Sequence, residues 1–335
     1  QWLDTMIIAI LGGLLGTMFT IALRRLFIVE EALPYPEGVA CREVLVAGEE
    51  GGEGALAILY ALGIGAVYGL MVKGFKVTHH SVESAVEFLG TRLYAGMDLS
   101  IALLSVGYIV GIRIASFIFL GGVIGFGILV PMYGLINGWP NSPDLVTGFY
   151  SIWASEIRYV GVGAMVVGGV YTLWSMRKTI FTGLSKALVK KEQSDELMLR
   201  TEIDLPLDKV LLVCGGLVGL TFLYYWWATG SLILALAGAL FLGVVSFFFA
   251  AVAGYIAGVV GSSNSPVSGM TIATLLFTVA LVWVVGDFFL KLGTEELMLA
   301  TLLIAAIVAS SAAIAGDVMQ DLKTGHMVGA TPWRQ

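Results

Sequence analysis

Three short runs hold the residue types from which a binding site could be built. The first is Gly261–Thr271, GSSNSPVSGMT, set between the apolar stretches Leu232–Val260 and Ile272–Val285. Pro266 lacks an N–H, so its segment leaves a carbonyl free. Asn264, Ser265 and Ser268 bring side-chain donors and acceptors to the same place, and Gly269 lets another backbone come close. A helix starting near Ser265 or Pro266 would aim its first N–H groups at the break, which favours an anionic group such as a carboxylate. The plainer reading is a turn between helices at a membrane surface.

The second run is Leu33–Leu45, LPYPEGVACREVL. Pro34 and Pro36 bias the chain away from helix around Tyr35. Glu37 and Gly38 then open a helix, where an acid interacts well with the dipole. This is either a capped loop leading into a helix or part of a gate or site. The third run is Ala315–Gln335, AGDVMQDLKTGHMVGATPWRQ, in which Asp317 follows an apolar stretch and Gln320, Asp321 and Lys323 come about one turn later. An acid at the end of a membrane span can hold a cation or relay a proton. An exposed Asp–Lys pair there would contribute little. The expected substrate contacts are therefore Asn264, Ser265, Ser268, Gly269, Tyr35 and Glu37, with Asp317 or Glu37 coupling protons.

The remaining polar residues read as structural. Asp98 with Arg113, and Glu156 with Arg158, are candidate ion pairs in or near apolar segments. His79 and His80 are adjacent in a loop with no further ligand spacing, and Cys41 and Cys214 are far apart, so no metal or disulfide is expected. No phosphate-binding glycine loop and no catalytic constellation is visible. Neither an enzyme nor a cofactor is expected, and nothing resembles a nucleic-acid patch.

The elements that must position these runs are membrane helices. The chain is 58% hydrophobic and 13% charged, with mean hydropathy +0.92. Soluble domains lie nearer about 25% charged. Apolar runs of about 20 residues recur, each enough to cross about 30 Å of hydrocarbon. The expected fold is an all-α polytopic helical membrane protein forming one transmembrane domain over 1–335. Roughly nine segments are expected, at about 4–23, 55–73, 97–115, 117–136, 157–176, 209–228, 231–260, 267–286 and 297–315. The 97–136 stretch reads as two spans, a tight hairpin or a re-entrant pair. Residues 76–95 read as an amphipathic external helix, from the spacing of Val82, Val86 and Leu89. Residues 177–208 read as a cytoplasmic connector between two halves.

Basic residues near Arg24, Arg25 and Arg42, in the 177–209 region, and at Lys323 and Arg334 fall on one side after nine crossings, which is read as cytoplasmic. The net charge of −6 points to no partner. A polar break in a spanning helix survives only where protein or water satisfies its backbone. Secondary transporters build substrate sites from such broken or re-entrant helices near the midplane. A transporter is thus the first reading. A channel or pore, with the break lining a filter, is the second, and a membrane-embedded enzyme or assembly subunit the third.

At these motifs the chain resembles the oligopeptide transporter family, which includes the yellow-stripe-like metal-chelate transporters and bacterial relatives. LPYPEGVACREVL is similar to its Pro-Tyr-Pro-Glu-Gly signature. NSPVSGMT is similar to its Asn-Pro-Val-Ser-Gly-Met-Thr stretch, with Ser265 inserted between Asn264 and Pro266. GDVMQDLKTG is similar to its Gly-Asp-x-x-Gln-Asp-Leu-Lys-Thr-Gly stretch. The resemblance implies a central portion of a longer chain, in a plasma or bacterial inner membrane. It implies proton-coupled uptake of small peptides or peptide-like metal chelates. The expected partners are that substrate, protons and membrane lipid, and a homo-oligomer is compatible with the family.

Overall fold

A computed structural model describes residues 2–77, 79–188, 200–291 and 293–335. The chain divides into two compact units, Gln1–Val39 with Met165–Gln335, and Ala40–Ala164. It is 81% helical, so one two-stranded hairpin leaves the class all-α.

In the first unit, α1 (Trp2–Arg24) continues through a π-helical turn at Arg25–Glu30, and α2 (Pro36–Glu50) begins after the double-proline loop. The later helices are α9 (Leu207–Thr229), α10 (Leu232–Val260), α11 (Val267–Val282) and α12 (Thr294–Met327). The last part of α8 (Arg158–Leu188) also belongs here. Close approaches give the directions. Gly238 of α10 lies against Ile304 of α12, and Gly254 against Met319, so these two helices run parallel. Gly12 of α1 lies against Ile307 and Ser310, and Gly16 against Ser311, so α1 runs the same way. Gly286, in the π-helical turn after α11, meets Leu234 near the start of α10, so α11 runs antiparallel. The end of α1, the end of α10 and the end of α12 therefore share one end of the bundle.

Small residues make this packing close, as membrane helices require without a hydrophobic drive between them. A Cβ on Gly12 would lie 2.6 Å from Ser310 Cβ and 2.7 Å from the Ile307 carbonyl oxygen. Gly12→Leu is expected to push α1 off α12 and to cost about 2–3 kcal/mol, the upper part of the overpacking range. Thermal melts of the detergent-solubilised protein check this, and a melting temperature equal to wild type would contradict it.

The second unit holds α3 (Gly52–Gly69), strands β1 (Ser81–Phe88) and β2 (Thr91–Asp98), then α4 (Ile101–Val110), α5 (Ile112–Gly122), α6 (Val130–Asn137) and α7 (Leu145–Ile152). The strands pair antiparallel, from Ser81 opposite Asp98 to Phe88 opposite Thr91. The amphipathic helix expected over 76–95 is thus a hairpin. Leu89 and Gly90 both have positive φ, +51° and +78°, the geometry of a two-residue turn whose twist suits antiparallel strands.

Among the described residues, seven helices are long and apolar enough to cross a membrane, rather than nine. They are Trp2–Glu30, Gly52–Gly74, Ile112–Asn137, Arg200–Thr229, Leu232–Val260, Val267–Asp287 and Thr294–Met327. The expected 97–115 span fails because its start is strand and because Gly111, at φ +85°, ends the ten-residue α4 before α5 begins. The 97–136 stretch therefore holds one short helix and one full-length span. The expected 157–176 segment is the front of α8. Of the expected 177–208 connector, residues 189–199 lie outside the described residues.

The break at Gly261–Thr271 also differs from a helix interrupted at the midplane. It joins two complete spans, Leu232–Val260 and Val267–Asp287, which fold back on each other. Its backbone N–H and C=O groups therefore meet polar partners at a bundle end, where no buried interruption has to be satisfied.

Candidate functional site

Proline chemistry starts the site. Tyr35, held between Pro34 and Pro36, adopts φ +47°, and Ala32 adopts +46°. Such a conformation at a non-glycine residue costs about 1–3 kcal/mol and persists only where the surroundings impose it. Here α10 imposes it. Tyr35 N donates to the Gly258 carbonyl at 2.8 Å, and the Tyr35 hydroxyl donates to the Gly254 carbonyl at 3.0 Å. The ring is fully buried among Leu23, Phe27, Ala251 and Met319. Burial pushes its phenol well above the ordinary tyrosine range, so it stays a neutral donor.

One residue on, Glu37 reaches the turn after α10. Ser262 N and Ser262 Oγ donate to Glu37 Oε2 at 3.1 and 2.6 Å, and Ser263 N donates to Oε1 at 2.9 Å. Partial burial acts to raise the Glu37 pKa, but these bonds outweigh it and hold the carboxyl below its usual value. Gly261 makes room for this: its φ is +89°, and a Cβ there would sit 2.7 Å from Glu37 Oε1. Only glycine meets both demands comfortably.

The third run closes the cluster from α12. Gln320, 5% exposed, accepts from Gly38 N at 2.9 Å through Oε1 and donates from Nε2 to the Ala257 carbonyl at 2.8 Å. Thr324 Oγ1 lies 3.0 Å from the Gly38 carbonyl and from the Gln320 carbonyl. Lys323 Nζ donates to the Leu33 carbonyl at 2.9 Å. A Cβ on Gly38 would come within 2.6 Å of the Gln320 carbonyl oxygen, so the α2 start and α12 touch backbone to backbone. The three runs, up to about 290 residues apart in sequence, thus form one hydrogen-bonded clasp across the ends of α10 and α12.

The expected site residues divide around this clasp. Tyr35 and Glu37 are inside it. Asn264 sits at its rim, exposed, with Nδ2 donating to the Val260 carbonyl at 3.2 Å, which caps α10. Ser265 Oγ is buried without a hydrogen-bond partner. Gly269 is buried against Met165, whose Sδ would lie 3.5 Å from an added Cβ. Ser268 is exposed, at the first turn of α11. Asp317 is exposed on α12, whereas Gly316 and Gln320 beside it are buried. The clasp residues Gly258, Ser262, Ser263, Gln320, Lys323 and Thr324 were not expected as contacts; the small-residue run and the Gln-x-x-Lys-Thr spacing, one helical face of α12, were the available signals.

A second buried polar contact lies nearby at the same bundle end. Arg24, 3% exposed, donates from Nη1 to Asp204 Oδ1 at 2.6 Å, while its Nε and Nη2 have no hydrogen-bond partner. Arg24 was expected only as a topology signal. The Asp98–Arg113 and Glu156–Arg158 pairs do not form among the described residues. Asp98 lies 3.8 Å from His80 Nδ1, and Arg158 lies over the Trp153 ring, 5.9 Å from its centroid.

Seven span-length apolar helices among the described residues define an integral helical membrane protein. The model of the OPT oligopeptide transporter protein family matches residues 1–335, and the chain belongs to that family. It is similar to the "Putative oligopeptide transporter" of Haemophilus influenzae, 32% identical over 347 residues, covering 99% of this chain and 55% of that protein. The chain thus spans about half the length of that curated relative. No solved structure matches it.

Proposed function

We propose that the protein is a secondary active, proton-coupled transporter of small peptides or peptide-like metal chelates, in a bacterial inner or plasma membrane. The observation that carries this reading is the meeting of three separate runs, each similar to a family motif, in one clasp. A polar lock joining a strained loop to two spanning helices is what a gate needs: several modest bonds that break together.

In this reading the clasp is the closed gate and Glu37 its proton-sensitive member. A carboxyl held below its ordinary pKa adds stability above that ordinary value, and the contribution fades as pH falls through the lowered one. A proton delivered to Glu37 removes the charge that Ser262 and Ser263 recognise, so acid on that side loosens the turn. Asp317, exposed on α12, is the second proton-coupling candidate. Asn264, Ser265, Ser268 and Gly269 line the turn that the clasp holds, where a released backbone would offer N–H groups to a substrate carboxylate.

Reconstituted full-length protein tests the assignment. Asp317→Asn is expected to lower proton-driven peptide uptake about a hundredfold, the lower end for a lost proton-transfer group, and Asn264→Ala up to about tenfold, as for one lost hydrogen bond. Uptake unchanged in both variants would remove these residues from the mechanism. Ohmic conductance in place of saturable uptake would point to a pore instead.

A further inference from the structure

The second unit contains a cleft that the clasp does not use. Tyr133, Asn137, Trp139, Ser151, Ser155 and Glu156 line a cavity of about 280 Å³ beside the loop after α6. That is close to the lower end of the range for small-molecule clefts, about 300 Å³, so it suits one residue or one small head group.

Its formal charge is one-sided, with the buried Trp139 Nε1 as one neutral donor lacking a hydrogen-bond partner. The Glu156 side chain is exposed, lines the cleft and, among the described residues, has no hydrogen bond or ion pair. The Ser151 and Ser155 hydroxyls spend their protons on the Gly148 and Ser151 carbonyls, both at 2.9 Å, and so offer lone pairs. The cations that could neutralise the carboxylate are engaged elsewhere. Arg158 lies over Trp153. Arg92 lies over Trp139 at 4.9 Å and pairs with Glu87 at 3.5 Å and Ser142 at 3.4 Å. Both arginines rest on rings of one aromatic cluster built from Tyr94, Phe126, Phe149, Tyr150 and Trp153 with Trp139. Arg92 thus already serves the Trp139 ring, which leaves Tyr133 as the aromatic wall for a further cation. A carboxylate without an ion pair, acceptor hydroxyls and the Tyr133 ring together recognise a cation with N–H donors.

We infer that this cleft binds a primary ammonium group, held by the Glu156 carboxylate against the Tyr133 ring. Two sources share that chemistry, the N-terminus of a small peptide and a free amine. The peptide source deepens the transport reading and rests on it; the site itself does not.

The test uses the full-length protein in lipid nanodiscs and isothermal titration calorimetry. Alanine amide, which has an ammonium and no carboxylate, is expected to bind, and N-acetylalanine methylamide, which lacks the ammonium, is not. Glu156→Gln is expected to weaken alanine amide at least tenfold, and Glu156→Asp to recover part of the loss. Melting temperatures at the wild-type value exclude misfolding as the cause. Displacement of alanine amide by the dipeptide Ala-Ala assigns the peptide source, and displacement by ethylammonium alone assigns the free amine; either supports the site. Equal binding of the acetylated compound, no alanine amide binding, or an unchanged Glu156→Gln variant would overturn it. Uptake of Ala-Ala into proteoliposomes separates the two readings. Uptake with no amide binding refutes the cleft and leaves transport standing, whereas amide binding with no peptide uptake does the reverse.

Discussion

Gln320→Ala is expected to unlock the clasp and to be among the most damaging single changes in the chain. Gln320 is the only side chain that joins the α2 start to α10 through both of its amide atoms, among the described residues. Alanine leaves Gly38 N without its partner in a buried setting, at about 1–3 kcal/mol, and removes one of two bonds to the Ala257 carbonyl, which keeps the one from Gly261 N at 3.0 Å. Melting temperature should fall by several degrees, and uptake should fall with it. Gln320→Glu separates the two bonds, because a carboxylate still accepts from Gly38 N but cannot donate to Ala257. At neutral pH its stability is expected to fall at least as far as alanine's, because a buried carboxylate then faces the Ala257 carbonyl, and to recover as acid protonates it. An alanine variant that melts with wild type would mean the bridge contributes nothing.

Asp204→Ala is expected to be comparably severe for a different reason. Arg24 is buried, and Asp204 supplies its one hydrogen-bonded anion. Removing one partner of a buried pair leaves an uncompensated charge, which costs about 3–5 kcal/mol. Asp204 is itself about a third exposed, so solvent screening brings the expectation to the lower end, about 3 kcal/mol. Arg24→Met in the same background should recover much of the loss, since it removes the stranded charge while keeping an apolar stem. A double variant no more stable than Asp204→Ala alone would contradict this account of the pair.

Much of the fold was legible because hydrocarbon imposes a simple rule on sequence. Long apolar runs such as Leu232–Val260 and Thr294–Met327 have no other use, and both are spans. The hairpin was missed because Val82, Val86 and Leu89 satisfy a helical spacing while Val82, Ser84, Val86 and Phe88 also alternate as a strand. Gly90 was the deciding signal, since its positive φ ends any helix there. The 97–115 span was misread for a related reason: hydropathy is blind to Gly111, whose conformation separates α4 from α5.

The site was legible in part. Pro34-Tyr35-Pro36-Glu37 announced a strained polar element, and the structure gives Tyr35 and Glu37 definite partners. Hydropathy set the break near Asn264 between spans at 231–260 and 267–286, as the structure has it, but spacing could not show which partners its residues take. It also could not show which face of α12 turns inward, where Gln320 and Thr324 are buried and Asp317 is not. Those facts depend on the crossing of α1, α10 and α12, which small residues such as Gly12 and Gly16 set through backbone contact rather than through any local pattern.

The gate assignment is tested most directly by locking the clasp. In a background with Cys41 and Cys214 replaced, Glu37→Cys and Ser262→Cys put thiols on the two sides of the clasp. After reconstitution of the full-length protein, a short cleavable thiol cross-linker should abolish peptide counterflow, which needs the clasp to open but no proton gradient and hence no Glu37 carboxylate, and reductive release of the link should restore it. The single-cysteine variants treated in the same way should keep exchanging peptide. Exchange that continues at the same rate with the cross-link complete would contradict the claim that this clasp must open for transport.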